Sequence, residues 1–576
     1  MGSLRTVSFG DMFTPKLVTV LREGYDRAAF RADLVSGLTV AIVALPLSMA
    51  IAIASGVSPD RGLVTAIVGG FFVSLLGGSR FQIGGPAGAF ILLVSATAAA
   101  QGVEGLILAT FLSGLILAAI GILRLGTFVK YIPYPVTVGF TAGIAVIIAS
   151  TQLREFFGLT LPGAEPGPLI DKLAALAAAA ETLDAPTVAV ALLTLAVILA
   201  VRRYRPHWPV LLIAVAAGSL AAVAGGLDIA TIGSRFGGIP SSLPAPHLPD
   251  LSPARIFAAL PAAVSFALLG SIESLLSAVV ADSMSGRRHR SNCELVAQGV
   301  ANVAASLFGG ICVTGTIART ATNVRSGARS PISGMLHSGF LLLFVLVAAP
   351  LASYIPLAAL AAVLLFVAWN MAEKAEFAGL LRASRGDALV VSATFLLVVF
   401  RDLTEGILVG FALGALLFLH RMANAVTVES RAAAIAEADR ADSDRGAEPY
   451  PERLVEDHDI FVCRISGAFF FGAAASVGTV LDRIAERPKV TILDFSDVPF
   501  IDSSAGATIA GFVKKAERRG ASVLFAGAGE ATRRILALQD HAGGESRFCA
   551  SVDEAVRKAR SRLGERPDLR EALPAA

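Results

Sequence analysis

One carboxylate stands alone in a long uncharged stretch: Glu273 is the only charged residue between Ile256 and Ala281. A charge at the middle of a membrane helix costs about 2.5–3.5 kcal/mol on insertion scales, so such a group needs a purpose or a partner. A bound proton removes the charge and with it the cost, which makes Glu273 a candidate carrier of a coupling proton. The other reading is a structural carboxylate bonded to backbone or hydroxyl groups.

Two glycine-rich interruptions break other apolar runs, Gly84-Gly-Pro-Ala-Gly88 and Gly309-Gly-Ile-Cys-Val-Thr-Gly315. A helix that starts inside a bilayer leaves amide N–H groups unpaired there, and the positive end of its dipole favours an anion. Pro86 suits the first turn of such a helix because it has no N–H to leave unsatisfied. The candidate anion-binding residues are therefore Gly85, Pro86, Ala87 and Gly88 at the first interruption, and Thr316, Ile317, Ala318 and Arg319 at the second. Glycines that merely permit close helix packing are the alternative for either motif alone; their pairing at matching positions favours a transporter site. Arg319 either adds a guanidinium to the two dipoles or pairs with Glu273 or snorkels to the surface, as Arg325 and Arg329 would. Thr314 and Thr316 either donate hydroxyls or cap the helix, and Phe81 and Phe90 are candidate apolar walls. Gln152 and His337 are given no part in the site.

The chain that positions these groups belongs in lipid. Of 576 residues, 55% are hydrophobic and 16% charged, against about 25% charged in an average soluble chain. Mean hydropathy is +0.70. An ordinary cytosolic enzyme, a disordered scaffold and a nucleic-acid-binding domain are excluded on that ground. Leu34–Pro59, Gly62–Ser79, Phe81–Val103, Gly105–Leu123 and Tyr131–Leu153 lack any charge, and further spans fit Ala185–Val201, Trp208–Leu227, Ile256–Ala281 and Leu295–Ala318. Ser330–Ala372 is long enough for two crossings joined near Pro350–Pro356, while Ala388–Phe400 and Gly406–Leu419 read as a tight pair that stops short of full depth. With a short helix after Arg319, the total is about fourteen segments at roughly 20 residues each.

Basic residues set the orientation, since short cytoplasmic loops collect Lys and Arg. Arg5, Lys16, Arg22, Arg27 and Arg31 precede the first span; Arg124 and Lys130, then Arg202, Arg203 and Arg205, then Arg287, Arg288 and Arg290, then Lys374, Arg382 and Arg385 mark the even-numbered loops. Both termini are expected in the cytoplasm. The first apolar run starts at Leu34 and is too long for a signal-peptide core, so no cleavable leader is expected. After Arg421 the composition changes: residues 431–456 read as a charged linker, and Asp459–Leu563 as a soluble α/β domain with strands at Val490–Phe495 and Ser522–Ala526 and helices at Ser504–Arg519 and Glu530–Leu538. Cys293, Cys312, Cys463 and Cys549 have no paired metal-ligand spacing and are expected as buried thiols, with no metal site.

Five ordered motifs carry a resemblance: Asp33-Leu-Val-Ser-Gly-Leu-Thr-Val-Ala-Ile-Val-Ala-Leu-Pro46, Gly84-Gly-Pro-Ala-Gly-Ala89, Gly270-Ser-Ile-Glu-Ser-Leu275, Ile317-Ala-Arg-Thr320 and Ile501-Asp-Ser-Ser504. From Asp33 to about Arg560 the chain resembles the SulP sulfate-permease family with its carboxy-terminal STAS domain, and Ile272–Asp282 with Asn323–Ser333 resemble the bacterial DauA-like branch, associated with C4-dicarboxylates. The resemblance implies a polytopic α-helical membrane protein of two inverted seven-segment repeats, with core and gate subdomains, an elevator-like motion, a homodimer and a cytosolic α/β STAS domain. It also implies that an acidic residue at Glu273 serves cation coupling, Glu rather than Asp resembling the proton-coupled pattern, and that Arg319 matches a position at the anion pocket of prestin-type relatives.

The expected organisation is a cytoplasmic segment over residues 1–33, a transport domain over 34–430 with repeats at about 34–227 and 254–430, a linker over 431–456, a STAS domain over 457–563 and a tail over 564–576. The expected function is secondary active anion transport in the bacterial inner membrane, proton-coupled, with a C4-dicarboxylate or sulfate as substrate. Bicarbonate transport and an uncoupled channel or exchanger are the alternatives; no cofactor is expected, the coupling ion being H+ or Na+. Ser503 and Ser504 are either regulatory phosphorylation sites, as in anti-sigma antagonists with this fold, or part of a helix N-cap formed by a Ser or Asp. A cytosolic partner of the STAS domain is a further expectation. No nucleotide loop, metal cluster or nucleophile–His–acid arrangement points to an enzyme.

Overall fold

The computed structural model describes residues 9–127, 132–163, 165–205, 208–401, 403–430, 459–484, 488–539 and 544–564. The expected linker over 431–456, the tail beyond Gly564 and Lys130 lie outside the described residues. The chain divides into two compact units, Met1–Gly414 and Ala415–Ala576.

In the first unit two short amino-terminal helices, α1 (Phe9–Phe13) and α2 (Lys16–Glu23), precede α3 (Arg27–Ala54), whose first turn is capped by Asp26 accepting from Ala29 N at 2.7 Å. α4 (Pro59–Val64) continues through a π turn at Thr65–Gly69 into α5 (Gly70–Leu76). A two-residue strand, β1 (Gly84–Gly85), and a 3-10 turn at Gly88–Phe90 lead into α6 (Ile91–Ile122). α6 comprises two helices that meet at a kink at Gly102, in keeping with the two crossings expected on either side of Val103; the φ of 70° there is one at which a side chain would be strained. There follow α7 (Tyr134–Phe157), α8 (Leu169–Ala178), α9 (Ala185–Tyr204), α10 (Val210–Ala224) and α11 (Ile232–Phe236).

The second half repeats the plan. α12 (Pro253–Ser285) and α13 (Ser291–Leu307) precede a second two-residue strand, β2 (Thr314–Gly315), and a short helix, α14 (Ile317–Arg325). α15 (Ile332–Ala352), α16 (Leu357–Met371), α17 (Lys374–Ala383), α18 (Arg385–Phe400) and α19 (Leu403–Asn424) complete it. α19 is 22 residues long, so it does not stop short as the sequence suggested: Glu405 and Arg421 sit in its first and last turns and lengthen it beyond its uncharged run. Among the described residues nine helices are long and apolar enough to cross a membrane. The expected total of fourteen requires counting shorter helices such as α10, α13, α14 and α18 and dividing α6 at Gly102.

Two packing groups stand out. α6 packs most extensively on α12 and α13, and α3 on α15; α7 packs on α16 and α18, and α9 on α10 and α16. The first group holds the strands and the broken segments.

In the second unit β3 (Thr427–Ser430) pairs antiparallel with β4 (Ile460–Ser466), which runs parallel to β5 (Val490–Asp497), β6 (Ser522–Ala526) and β7 (Phe548–Cys549) in the order β3-β4-β5-β6-β7. Its helices are α20 (Phe471–Ile484), α21 (Ser503–Arg518), α22 (Glu530–Gln539) and α23 (Val552–Leu563). The buried run at Val490–Phe495 explains why β5 lies inside the sheet: its residues are covered on both faces.

Candidate functional site

The two interruptions meet. β1 and β2 pair antiparallel with Gly84 opposite Gly315 and Gly85 opposite Thr314. A third backbone bond runs from Thr316 N to Ile83 O at 3.0 Å. Backbone that leaves the helix inside a bilayer must find partners within the protein, and each interruption supplies them for the other.

Two helix starts flank this crossing. Thr316 precedes α14 without making a side-chain cap, and Ala87 precedes the turn at Gly88–Phe90 likewise. The capping alternative for Thr316 therefore does not describe it: its hydroxyl donates to Ile83 O at 3.3 Å. Thr314 is paired with Ser274, hydroxyl to hydroxyl, at 2.7 Å, and Ser274 Oγ also accepts from Gly315 N at 3.2 Å. The first-turn N–H groups of both helices are thus not taken by side-chain caps, which is the condition for anion binding there. Ala318 is exposed, and Gly88 and Ile317 are half-buried. The same face of α14 continues through half-buried Thr322 to exposed Arg325, one turn after another.

The opposite face of α14 is a docking surface for backbone. Thr316, Arg319, Thr320 and Asn323, spaced i, i+3, i+4 and i+7, are all buried. Thr320 Oγ1 accepts from Ile83 N at 3.1 Å and from Ser277 Oγ at 3.0 Å. Asn323 Nδ2 donates to Phe81 O at 2.9 Å while its Oδ1 accepts from Ser36 Oγ at 2.7 Å. Arg319 Nη2 donates to Ser48 Oγ at 3.1 Å and to Pro86 O at 3.3 Å. α14 therefore grips residues 81–86 with side chains where a longer strand would have used backbone.

The structure brings together Gly85, Pro86, Ala87, Gly88, Thr316, Ile317, Ala318 and Arg319, but it gives Arg319 a different posture from the one expected. Its side chain is 1% exposed and lies beneath β1, so it does not snorkel, and among the described residues no ion pair joins it to Glu273. Gly85 is there to admit it: a Cβ at that position would stand 2.2 Å from Arg319 Nη1. Among the described residues, Nε and Nη1 have no hydrogen-bond partner. Gly315 plays the same part for Gln82, whose Nε2 would lie 1.8 Å from a Cβ and which donates to Ser274 O at 3.0 Å.

Glu273 lies on α12 next to Ser274, which holds β2, and is half-buried with Oε2 enclosed and unbonded. A structural carboxylate would have its oxygens bonded to backbone or hydroxyl groups. Phe81 and Phe90 are both buried; Phe90 packs edge-on against Phe266 with ring centroids 6.0 Å apart, which makes it core beneath the helix start. His337, given no role by its sequence context, is fully buried on α15, and neither ring nitrogen is bonded among the described residues.

Ser36, Ser48, Gln82, Ser274, Ser277, Thr320 and Asn323 were missed by sequence reasoning. For α14 the signal was present, because a polar stripe at helical spacing in an apolar region reports a polar counterpart. For Ser48, on α3 far away in the chain, there was none.

In the second unit Asp502 caps α21, accepting from Ala505 N at 2.8 Å and also from Phe471 N at 2.9 Å. Ser503 and Ser504 form the exposed first residues of that helix. Cys293, Cys312, Cys463 and Cys549 are buried free thiols.

Residues 30–394 match the sulfate permease family, and residues 453–555 match the STAS domain. The putative sulfate transporter YvdB of Bacillus subtilis is 39% identical over 89% of this chain and 94% of its own length. The bicarbonate transporter BicA of Synechocystis is 32% identical over 88% of this chain and 90% of its own. Among solved structures, the transmembrane domain of a cyanobacterium bicarbonate transporter BicA superposes with a TM-score of 0.59 at 34% identity, over 66% of this chain and 98% of that one. The murine Solute Carrier 26 family member A9 anion transporter superposes with a TM-score of 0.80, over 97% of this chain and 96% of that one; at 17% identity it is similar in fold.

Proposed function

The chain belongs to the sulfate permease family, and from that premise we propose that it is a secondary active transporter of a small oxyanion, sulfate or bicarbonate, coupled to protons through Glu273. The observation that carries this reading is the pairing of β1 with β2, which sets two uncapped helix starts side by side at the end of an open face of α14. A dehydrated oxyanion exchanges water for amide donors and two dipole ends there. The names of the relatives support an inorganic oxyanion over the C4-dicarboxylate that the DauA-like motifs suggested.

Proton coupling rests on Glu273, half-buried, alongside the crossing and without a cation partner among the described residues. A proton on its carboxyl and an anion at the helix starts lower each other's electrostatic cost, so the two move together. Alternating access follows an elevator course, with the group built on α3, α6, α12 and α15 carrying the site past α7, α9, α16 and α18. The protein acts as a homodimer in the inner membrane with both termini in the cytoplasm, consistent with the basic even-numbered loops.

Uptake into proteoliposomes of radiolabelled sulfate, bicarbonate and succinate, with and without an inward proton gradient, tests the reading. Saturable accumulation of one inorganic oxyanion above equilibrium, driven by the gradient, is the expected result. Succinate accumulation alone would restore the dicarboxylate assignment, and flux that never exceeds equilibrium under any gradient would make the protein a channel or exchanger.

A further inference from the structure

α13 carries a polar row through an apolar setting: Glu294, Gln298, Asn302 and Ser306 recur every fourth residue and are all fully buried. Four such side chains on one face of a membrane helix are costly unless each is bonded. Glu294 Oε2 accepts from Ser79 N at 3.0 Å and its Oε1 from Gln298 Nε2 at 3.1 Å. The Ser306 hydroxyl donates one turn back on its own helix, to Val303 O at 2.7 Å. Asn302 differs from all of these, because its amide closes on a single backbone residue from both sides.

Asn302 Oδ1 accepts from Val313 N at 2.9 Å, and Asn302 Nδ2 donates to Val313 O at 2.8 Å. The second Nδ2 hydrogen goes to Gln298 O at 2.8 Å, so every donor and the acceptor of the side-chain amide are engaged. A primary amide that accepts from an N–H and donates to the C=O of one residue reproduces what a neighbouring strand would offer. β2 has β1 on one side, and its preceding residue has Asn302 on the other.

We infer that Asn302 is a positioning residue for the anion site, an amide clamp that fixes Val313 and thereby the placement of Thr314–Thr316 and the start of α14. The inference rests on the transport reading above. Without the clamp, Val313 keeps neither of these two bonds inside the membrane, and the cheapest relief is a local shift of β2. That shift moves the N–H groups of Ile317 and Ala318 against those at Gly88, so the anion meets donors no longer converging on one point.

The test compares N302A, N302D and S306A in the full chain. N302A removes both bonds, N302D keeps the acceptor for Val313 N and loses the donor to Val313 O, and S306A changes the neighbouring member of the row without touching β2. In N302A the KM for oxyanion uptake is expected to rise about tenfold while Vmax stays within about twofold, as for other residues that orient binding groups. N302D, which carries a charge into an apolar setting and sets a carboxylate oxygen against Val313 O, is expected to be impaired at least as much as N302A, and S306A to match the wild type. Hydrogen–deuterium exchange of the 311–318 peptide, which does not require transport, is expected to speed up in N302A and not in S306A.

An unchanged KM together with unchanged exchange at 311–318 in N302A overturns the inference, as does an equal effect from S306A. If N302A does not yield folded protein, N302S, whose hydroxyl is too short to reach both Val313 N and Val313 O, carries the same comparison, and unchanged KM and exchange in N302S overturn it equally. Absence of saturable uptake by the wild type would sink the transport reading while leaving the exchange experiment to decide the clamp.

Discussion

Replacing Gly85 by alanine isolates the contact on which the first helix start depends. The added Cβ would stand 2.2 Å from Arg319 Nη1, while the next neighbour outside that guanidinium, Ala66 Cβ, is at 3.6 Å, an ordinary contact. The backbone at Gly85 has no positive φ, so the whole cost is collision with one side chain. Carbon and nitrogen in contact need more than about 3 Å, so the guanidinium must retreat by roughly 1 Å, which the bonds to Ser48 Oγ at 3.1 Å and Pro86 O at 3.3 Å cannot follow. Hydrogen bonds from a charged donor are worth about 1.5–3 kcal/mol each, so losing even one with some overpacking amounts to about 3 kcal/mol. That is about two decades in an equilibrium constant.

The assay is a double-mutant cycle of G85A and R319A, read as thermal stability of the purified protein and as KM for oxyanion uptake. In the R319A background the methyl group enters the space the guanidinium has left, and G85A should then cost less than about 0.5 kcal/mol, within ordinary additivity error. Equal losses from G85A with and without Arg319 would refute the reasoning, because the clash would then lie elsewhere.

Four further outcomes can be measured on the same protein. E273Q keeps the shape of the side chain but cannot ionise, so oxyanion counterflow should persist while proton-driven accumulation is lost; accumulation unchanged at every pH would remove Glu273 from coupling. A318C should react with a membrane-impermeant thiol reagent and be protected by substrate, and bulky replacements at Ala318 or Gly88 should block uptake; an unreactive A318C would mean that the α14 face is not an access route. The four native cysteines supply the silent background for that labelling: burial, with a smaller contribution from Asp494, pushes the Cys463 thiol up from the ordinary 9.0 to about 12, so it stays protonated at pH 8, and labelling of Cys463 in the folded wild type would contradict this. D502A removes the cap bonds to Ala505 N and Phe471 N and should cost about 1–2 kcal/mol, seen as faster hydrogen exchange at the start of α21; unchanged exchange would show that the cap contributes nothing.

The sequence by itself determined the solvent and the broken segments. Uncharged runs such as Leu34–Pro59 and Tyr131–Leu153 leave a chain no home but lipid, and the clustered glycines with proline at Gly84–Gly88 and the glycines of Gly309–Gly315 weaken a helix, so both breaks were legible as local chemistry. Glu273 was legible for the same reason, a lone charge among apolar residues. In the second unit the strands at Val490 and Ser522 and the helices after Asp502 and Gly529 were read to within a residue or two, because alternation and capping are local signals. What only the tertiary structure decided is which distant groups satisfy the breaks. That Gly84 faces Gly315, that Arg319 turns under β1 towards Ser48 rather than towards Glu273, and that Asn302 grips Val313 depend on α3, α13 and α14 packing around the crossing. Within a bilayer the unpaired backbone groups at a break must be satisfied by protein, but nothing local says by which residue. Partners more than 200 positions apart in the chain become neighbours only when the helices assemble.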